Sequence, residues 1–250
     1  MTVSRTIYMI AGLCALVCMS QLHAADAQNS LSVTAKERLA AFRWTAEESR
    51  WIKDHAGIIF YDDGDLPRFT MDEHVDITHA LGANKVKTWL KGQYPGEMLA
   101  RLDHPVYQRI LSEFDTILFD VCPDYILGGV YDDAKSELVR SEYKGVAYYL
   151  ASKYRKPNKT FILSIFMETN LFFGAENSYH PDFPAVRFLN DADAGIKAGI
   201  KKAQGESKVN KAKVYSVIEV ANLPKDFIKK FLPQTRADLY AISYYGQWEL

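Results

Sequence analysis

The segment Thr160-Phe161-Ile162-Leu163-Ser164-Ile165-Phe166-Met167 constrains the fold more than any other stretch of this chain. It is almost continuously apolar. A strand with one wet face alternates apolar and polar side chains, whereas an unbroken apolar strand suits a parallel sheet covered on both faces. Neighbouring parallel strands cannot be joined by a tight hairpin, so helical crossovers are expected on either side of this one.

The flanking sequence supplies such crossovers. Val139, Tyr143, Val146 and Leu150 recur at helical spacing within a helix expected over 131–154, capped by Asp132 or Asp133 and facing the sheet. Further helices are expected from Thr45 and over 71–80, 96–114, 185–203 and 225–231. Strands are expected at 58–61, 85–90, 115–121, 160–167, 214–218 and 238–244, with a long loop rich in aromatics and Asn at 170–184. Six strands with helices between most of them imply an α/β architecture. A closed (β/α)8 barrel takes about 250 residues and eight strands. The expectation is therefore a (β/α)8-type barrel over residues 46–250, incomplete or truncated after its sixth strand. Periodicity alone leaves an open doubly wound sheet as the alternative.

Residues 1–24 have the layout of a secretory signal peptide: Arg5, an apolar run at 7–17, and small residues around Ala24. The run is shorter than the roughly 20 residues that span a bilayer, and no later segment is apolar enough to do so. Residues 25–45 read as a leader into the domain. An exported protein, periplasmic or extracellular and without stable membrane insertion after cleavage, is the expectation. Cleavage would remove Cys14 and Cys18 and leave Cys122, which reads as a small buried hydrophobe at a strand end. A formal net charge of -1 provides no basic field for phosphates, so nucleic acid is not an expected partner. His55, His74, His79, His104 and His180 are dispersed without zinc-ligand spacing, and neither a G-x-S-x-G elbow nor a phosphate-binding glycine loop is present. No metal and no cofactor is expected.

Polar residues gather behind the strands: Trp89, then Asp120, then Glu168 and Asn170, then Glu219 and Asn222, then Tyr244 and Trp248. In α/β folds the C-terminal ends of the strands form the ligand-binding rim. Glu168 and Glu219 are the carboxylates best placed for a pair. Glycoside hydrolysis needs one carboxylic acid to protonate the leaving oxygen and a second carboxylate on the other face of the sugar. Asn170 and Asn222 suit sugar hydroxyls; Trp89, Phe172, Phe173, Tyr244 and Trp248 suit ring faces. Each has a plainer reading too. Glu168 or Glu219 can cap a helix or pair with a lysine, Asp120 can cap a loop, and single aromatics usually fill a core.

Several segments resemble strands of the TIM-barrel glycoside hydrolase superfamily. Leu81-Gly82-Ala83-Asn84 leading into Lys85–Leu90 is similar to its second-strand region, where a basic residue and an aromatic occupy the strand. Met167-Glu168-Thr169-Asn170 resembles the end of the fourth strand in a poorly characterised bacterial subgroup, Glu219-Val220-Ala221-Asn222 its fifth, and the stretch from Asp238 to Tyr245 its sixth. The resemblance implies that Glu168 is the acid/base glutamate, Glu219 a pocket residue and Lys87 the basic binding residue of the second strand. It implies a polysaccharide or glycoconjugate as partner. The sequence departs from that pattern at Met167, Thr169, Asn170 and Lys87, and the superfamily's nucleophile strand, the seventh, has no counterpart. A non-catalytic carbohydrate-binding or cell-surface protein on a degenerate barrel is the second expectation.

Overall fold

The computed structural model describes residues 45–59, 70–126, 130–154, 158–169, 184–206, 212–221 and 225–243. The expected signal peptide, nearly all of the expected leader, the 170–183 portion of the aromatic loop, and the candidate binding residues Asn170, Asn222, Tyr244 and Trp248 lie outside these residues.

The described chain alternates helix and strand. In order it comprises α1 (Ala46–His55), β1 (Ile58–Ile59), α2 (Met71–Ala80), β2 (Lys85–Gly92), α3 (Glu97–Leu102), α4 (Pro105–Glu113), β3 (Thr116–Pro123), α5 (Asp133–Lys153), β4 (Thr160–Ile165), α6 (Ala185–Glu206), β5 (Lys213–Ala221), α7 (Lys225–Lys230) and β6 (Leu239–Ser243). The strands form one parallel sheet in the order β1-β2-β3-β4-β5-β6. Among the described residues this sequential order is that of an incomplete (β/α)8-type barrel with six strands, and it excludes the doubly wound alternative, whose strand order reverses partway.

Local chemistry explains most boundaries. Thr45 and Thr70 each close a capping box, with Glu48 and Glu73 respectively reaching back to the cap. Asp132 caps α5 by accepting from the Lys135 N–H. β2, β3 and β5 run to Gly92, Pro123 and Ala221, so Trp89, Asp120 and Glu219 lie within strands and not behind them as expected, and two further boundaries also differ. The helix expected over 96–114 is two helices, because Pro105 has no N–H to continue the first and instead opens α4 behind a His104 cap. The strand expected over 160–167 stops at Ile165, because Phe166 turns to φ 66° and leaves the extended region.

Alternation along the strands separates two faces. Val86 and Leu90, Ile117, Phe119 and Val121, Phe161, Leu163 and Ile165, and Val214, Ile218 and Val220 point to the helices and share one core with them. The expected apolar stripe of α5 is confirmed: Val139, Tyr143, Val146 and Leu150 are fully buried in that core. α6 packs closely along α5. A Cβ at Gly195 would stand 2.5 Å from the Arg140 carbonyl oxygen, and one at Gly199 would stand 2.4 Å from that of Lys144 and 2.8 Å from the Tyr148 nitrogen. Glycine at these two positions, one helical turn apart, lets the backbones meet. Buried Asp191 on α6 fastens the same seam, accepting from Tyr131 Oη, Ser136 Oγ and the Arg140 guanidinium.

The opposite face carries Lys87, Trp89, Asp120, Ser164, Glu219 and Ser243, as strand register and alternation require. In a flat sheet β2 and β5 would be about 14 Å apart, three spacings of about 4.8 Å. Lys87 Nζ nevertheless lies 2.6 Å from Glu219 Oε1. The sheet is therefore strongly curled, with this face concave: a half-barrel. Among the described residues, no helix is long and apolar enough to cross a membrane.

Candidate functional site

Lys87 is the hub of the concave face. It emerges from β2 on the side away from the helices. Its ammonium donates to both carboxylate oxygens of Glu219 on β5, at 2.6 and 2.7 Å. It also lies 3.3 Å from Asp120 on the adjacent strand β3. The side chains are 14% (Lys87), 0% (Asp120) and 5% (Glu219) exposed, so the group is withdrawn from water. Burial works against the charge on Lys87, but Asp120 and then Glu219 outweigh it, and the ammonium is held above its ordinary range. It stays protonated throughout the neutral range.

Two hydroxyls complete the arrangement. Ser164 on β4 donates to Glu219 Oε2 at 3.4 Å, and Ser243 on β6 donates to Glu219 Oε1. Five strands, β2 to β6, thus contribute one side chain each to a single network. Glu219 meets four donor contacts and acts as an acceptor in all of them. Asp120 is not a loop cap: it lies mid-strand in β3 and faces the same ammonium.

Glu168 occupies a different setting. It lies in the turn after β4 with φ 49°, two residues beyond Phe166 at φ 66°, and is nearly buried. Non-glycine residues in the left-handed region cost of order 1 kcal/mol or more each and persist only where the surroundings impose them. Here Thr169 Oγ1 donates to the Ile165 and Phe166 carbonyls, at 3.2 and 3.1 Å. The Met167 N–H donates toward the Cys122 sulfur. Cys122 is buried as expected, and burial first, then the Asp120 charge, pushes its thiol up to about 12. It is inert as a nucleophile at neutral pH.

Trp89 shares the concave face with Lys87, and the Lys91 ammonium rests 3.2 Å from its ring centroid. The Trp89 carbonyl accepts from Tyr107 Oη at 2.8 Å, which ties β2 to α4. Of the residues singled out from sequence, the structure thus gathers Lys87, Asp120 and Glu219 in direct contact, sets Trp89 on their face, and puts Glu168 in a strained turn at the C-terminal end of β4. Ser164 and Ser243 are not among the residues that stand out in the sequence. The signal for them was strand parity, since each is a small polar residue at a position that faces inward. Among the described residues, no three His, Cys, Asp or Glu side chains are grouped to hold a metal ion.

Comparison with family models, with curated proteins and with solved structures gives no match.

Proposed function

We propose that this protein binds carbohydrate without hydrolysing it, on a half-barrel scaffold, as an exported or cell-surface protein. One observation carries the reading. Glu219, half of the expected carboxylate pair, is bound through both oxygens to Lys87, is further engaged by Ser164 and Ser243, and is almost fully buried. A carboxylate so occupied holds strands together; releasing it to a substrate would break a buried ion pair and leave Lys87 with Asp120 alone, at a cost of several kcal/mol. The resemblance of the strand ends to glycoside hydrolases supports a polysaccharide or glycoconjugate as ligand, and the pattern of residues 1–24 supports export.

The test is a panel of β-glucans, xylans, mannans, chitin oligosaccharides and glycoconjugates, with binding and release of new reducing ends measured on the same samples. Binding without release is the expected result. Release of reducing ends that is lost in Glu168→Gln would overturn it. An absence of both binding and release across the panel would end the carbohydrate assignment altogether.

Hydrolysis is the second reading, and the Glu168 turn is the observation that favours it. Two left-handed non-glycine residues within three positions, at a strand end that faces the ligand rim, form the kind of enforced geometry that accompanies function. Under this reading Glu168→Gln lowers the rate about 100-fold or more, within the usual contribution of a general acid.

A further inference from the structure

The large apolar side chains left substantially exposed among the described residues are Trp51, Ile59, Tyr94 and Val130. Trp51 lies on α1. Ile59 pairs with Lys87, within β2, and Val130 lies just before the Asp132 cap of α5. Tyr94 lies two residues beyond the end of β2 at Gly92 and so stands on the rim where parallel α/β sheets receive ligands. Scattered exposed hydrophobics need no explanation, but an aromatic held firmly on the ligand rim is placed to meet a partner.

Tyr94 is 61% exposed. The turn that carries it is held firmly. The Gln93 N–H donates to Glu97 Oε2 at 2.5 Å, and the Glu97 N–H donates to the Tyr94 carbonyl at 3.2 Å. Gly96, at φ 83°, donates its N–H to both oxygens of Glu142 on α5, each at 3.1 Å. Arg101 grips Glu97 Oε1 through Nε and Nη2. Two carboxylates and an arginine thus fix the backbone of a four-residue turn whose largest side chain is mostly exposed.

We infer that Tyr94 is a stacking platform for a sugar ring at the rim of the half-barrel, presented by the pinned 93–96 turn. The inference rests on the carbohydrate-binding reading and gives it a location. The concave interior is occupied by the Lys87–Glu219–Asp120 network, so a ligand meets the rim first. Pyranose rings offer an apolar C–H face, which an amphipathic tyrosine ring matches while its hydroxyl stays wet. A platform fixed in advance loses little freedom on binding, so more of the contact energy appears as affinity.

The experiment is calorimetric titration of the full-length protein and its Tyr94→Ala, Tyr94→Phe and Tyr94→Trp variants with cellohexaose, xylohexaose, mannohexaose and chitohexaose. Tyr94 is exposed, so each variant is expected to fold, with thermal unfolding as the check. For the oligosaccharide that the wild type binds, Tyr94→Ala is expected to weaken binding about tenfold or more, while Tyr94→Phe and Tyr94→Trp stay within about threefold. Wild-type affinity in Tyr94→Ala would overturn the platform and leave the carbohydrate reading standing. Equal loss in Tyr94→Phe and Tyr94→Ala would overturn ring stacking in favour of a contact through the hydroxyl. A wild type that binds none of these sugars, nor any glycan of the wider panel, would remove the carbohydrate reading and the platform with it.

Discussion

Replacing Gly199 by alanine tests whether the α5–α6 seam depends on backbone contact. In an ordinary helix the change stabilises, since alanine is about 1 kcal/mol better than glycine at an interior position. Here the new Cβ would lie 2.4 Å from the Lys144 carbonyl oxygen and 2.8 Å from the Tyr148 nitrogen. Both obstacles are main chain and cannot rotate away. To restore an ordinary separation the two helices must part locally by about 1 Å, and a gap of that size forfeits roughly a quarter to a half of the dispersion energy of the atoms that line it. Overpacking in a well-filled core costs about 1–3 kcal/mol. A rigid obstacle places this case at the upper end, leaving a net loss of about 2 kcal/mol after the propensity gain. For a domain of this size that corresponds to a fall of about 4–8 °C in Tm. Gly205 on the same helix is the control, because a Cβ there meets nothing within 4 Å; Gly205→Ala should be neutral or stabilising by up to about 1 kcal/mol. Urea unfolding and calorimetry on the two variants and the wild type decide the matter. Equal stability of Gly199→Ala and Gly205→Ala would refute the close-packed seam.

Lys87→Met should cost about 3–5 kcal/mol at pH 7, because it leaves Asp120 and Glu219 buried together without their ammonium. Adding Glu219→Gln should recover part of that loss, and urea midpoints of the single and double variants measure it. Stability should fall as pH rises from 9 to 12. Burial lifts Cys122 from 9.0 to about 12 and, aided next by Tyr149, Tyr154 from 10.0 to about 12, so the folded chain retains protons that the unfolded chain has lost. Cys122→Ala should flatten the pH 9–12 limb of urea midpoints recorded at unit intervals, and an unchanged slope would contradict the assignment. Gly96→Ala should cost about 1–2 kcal/mol through backbone conformation alone, since its φ is 83° and no neighbour lies within 4 Å of the new Cβ; asparagine at the same position should cost less, by the same unfolding assay.

Local periodicity carried much of the architecture. The apolar run at 160–167 implied a covered parallel strand, and the spacing of Val139, Tyr143, Val146 and Leu150 identified the buried stripe of α5, because both patterns depend on neighbours a few residues apart. Pro105 is a visible breaker, yet apolar periodicity on both sides masks it, so the sequence suggests one helix where two form. The end of β4 was not legible: Phe166 is as good a strand residue as Ile165, and its left-handed turn is imposed by Thr169 and the neighbouring strand. Lys87 and Glu219 each stand out in the sequence, but not as each other's partner. Their contact crosses three strand spacings and exists only because the sheet curls, a property that no window of sequence contains. Ser164 and Ser243 were hidden for the same reason, since their role depends on where Glu219 points.

Nearest-neighbour strand order has a consequence for how the chain is made. Each strand pairs with the one synthesised just before it, so the sheet can lengthen unit by unit during translation without waiting for distant segments. The Lys87–Glu219 bond is the exception, joining positions 132 residues apart. Until β5 emerges from the ribosome, Lys87 has only Asp120 beside it, and nothing yet draws β2 toward the far side. The carboxylate that arrives late acts as a drawstring, tightening a growing sheet into its final arc.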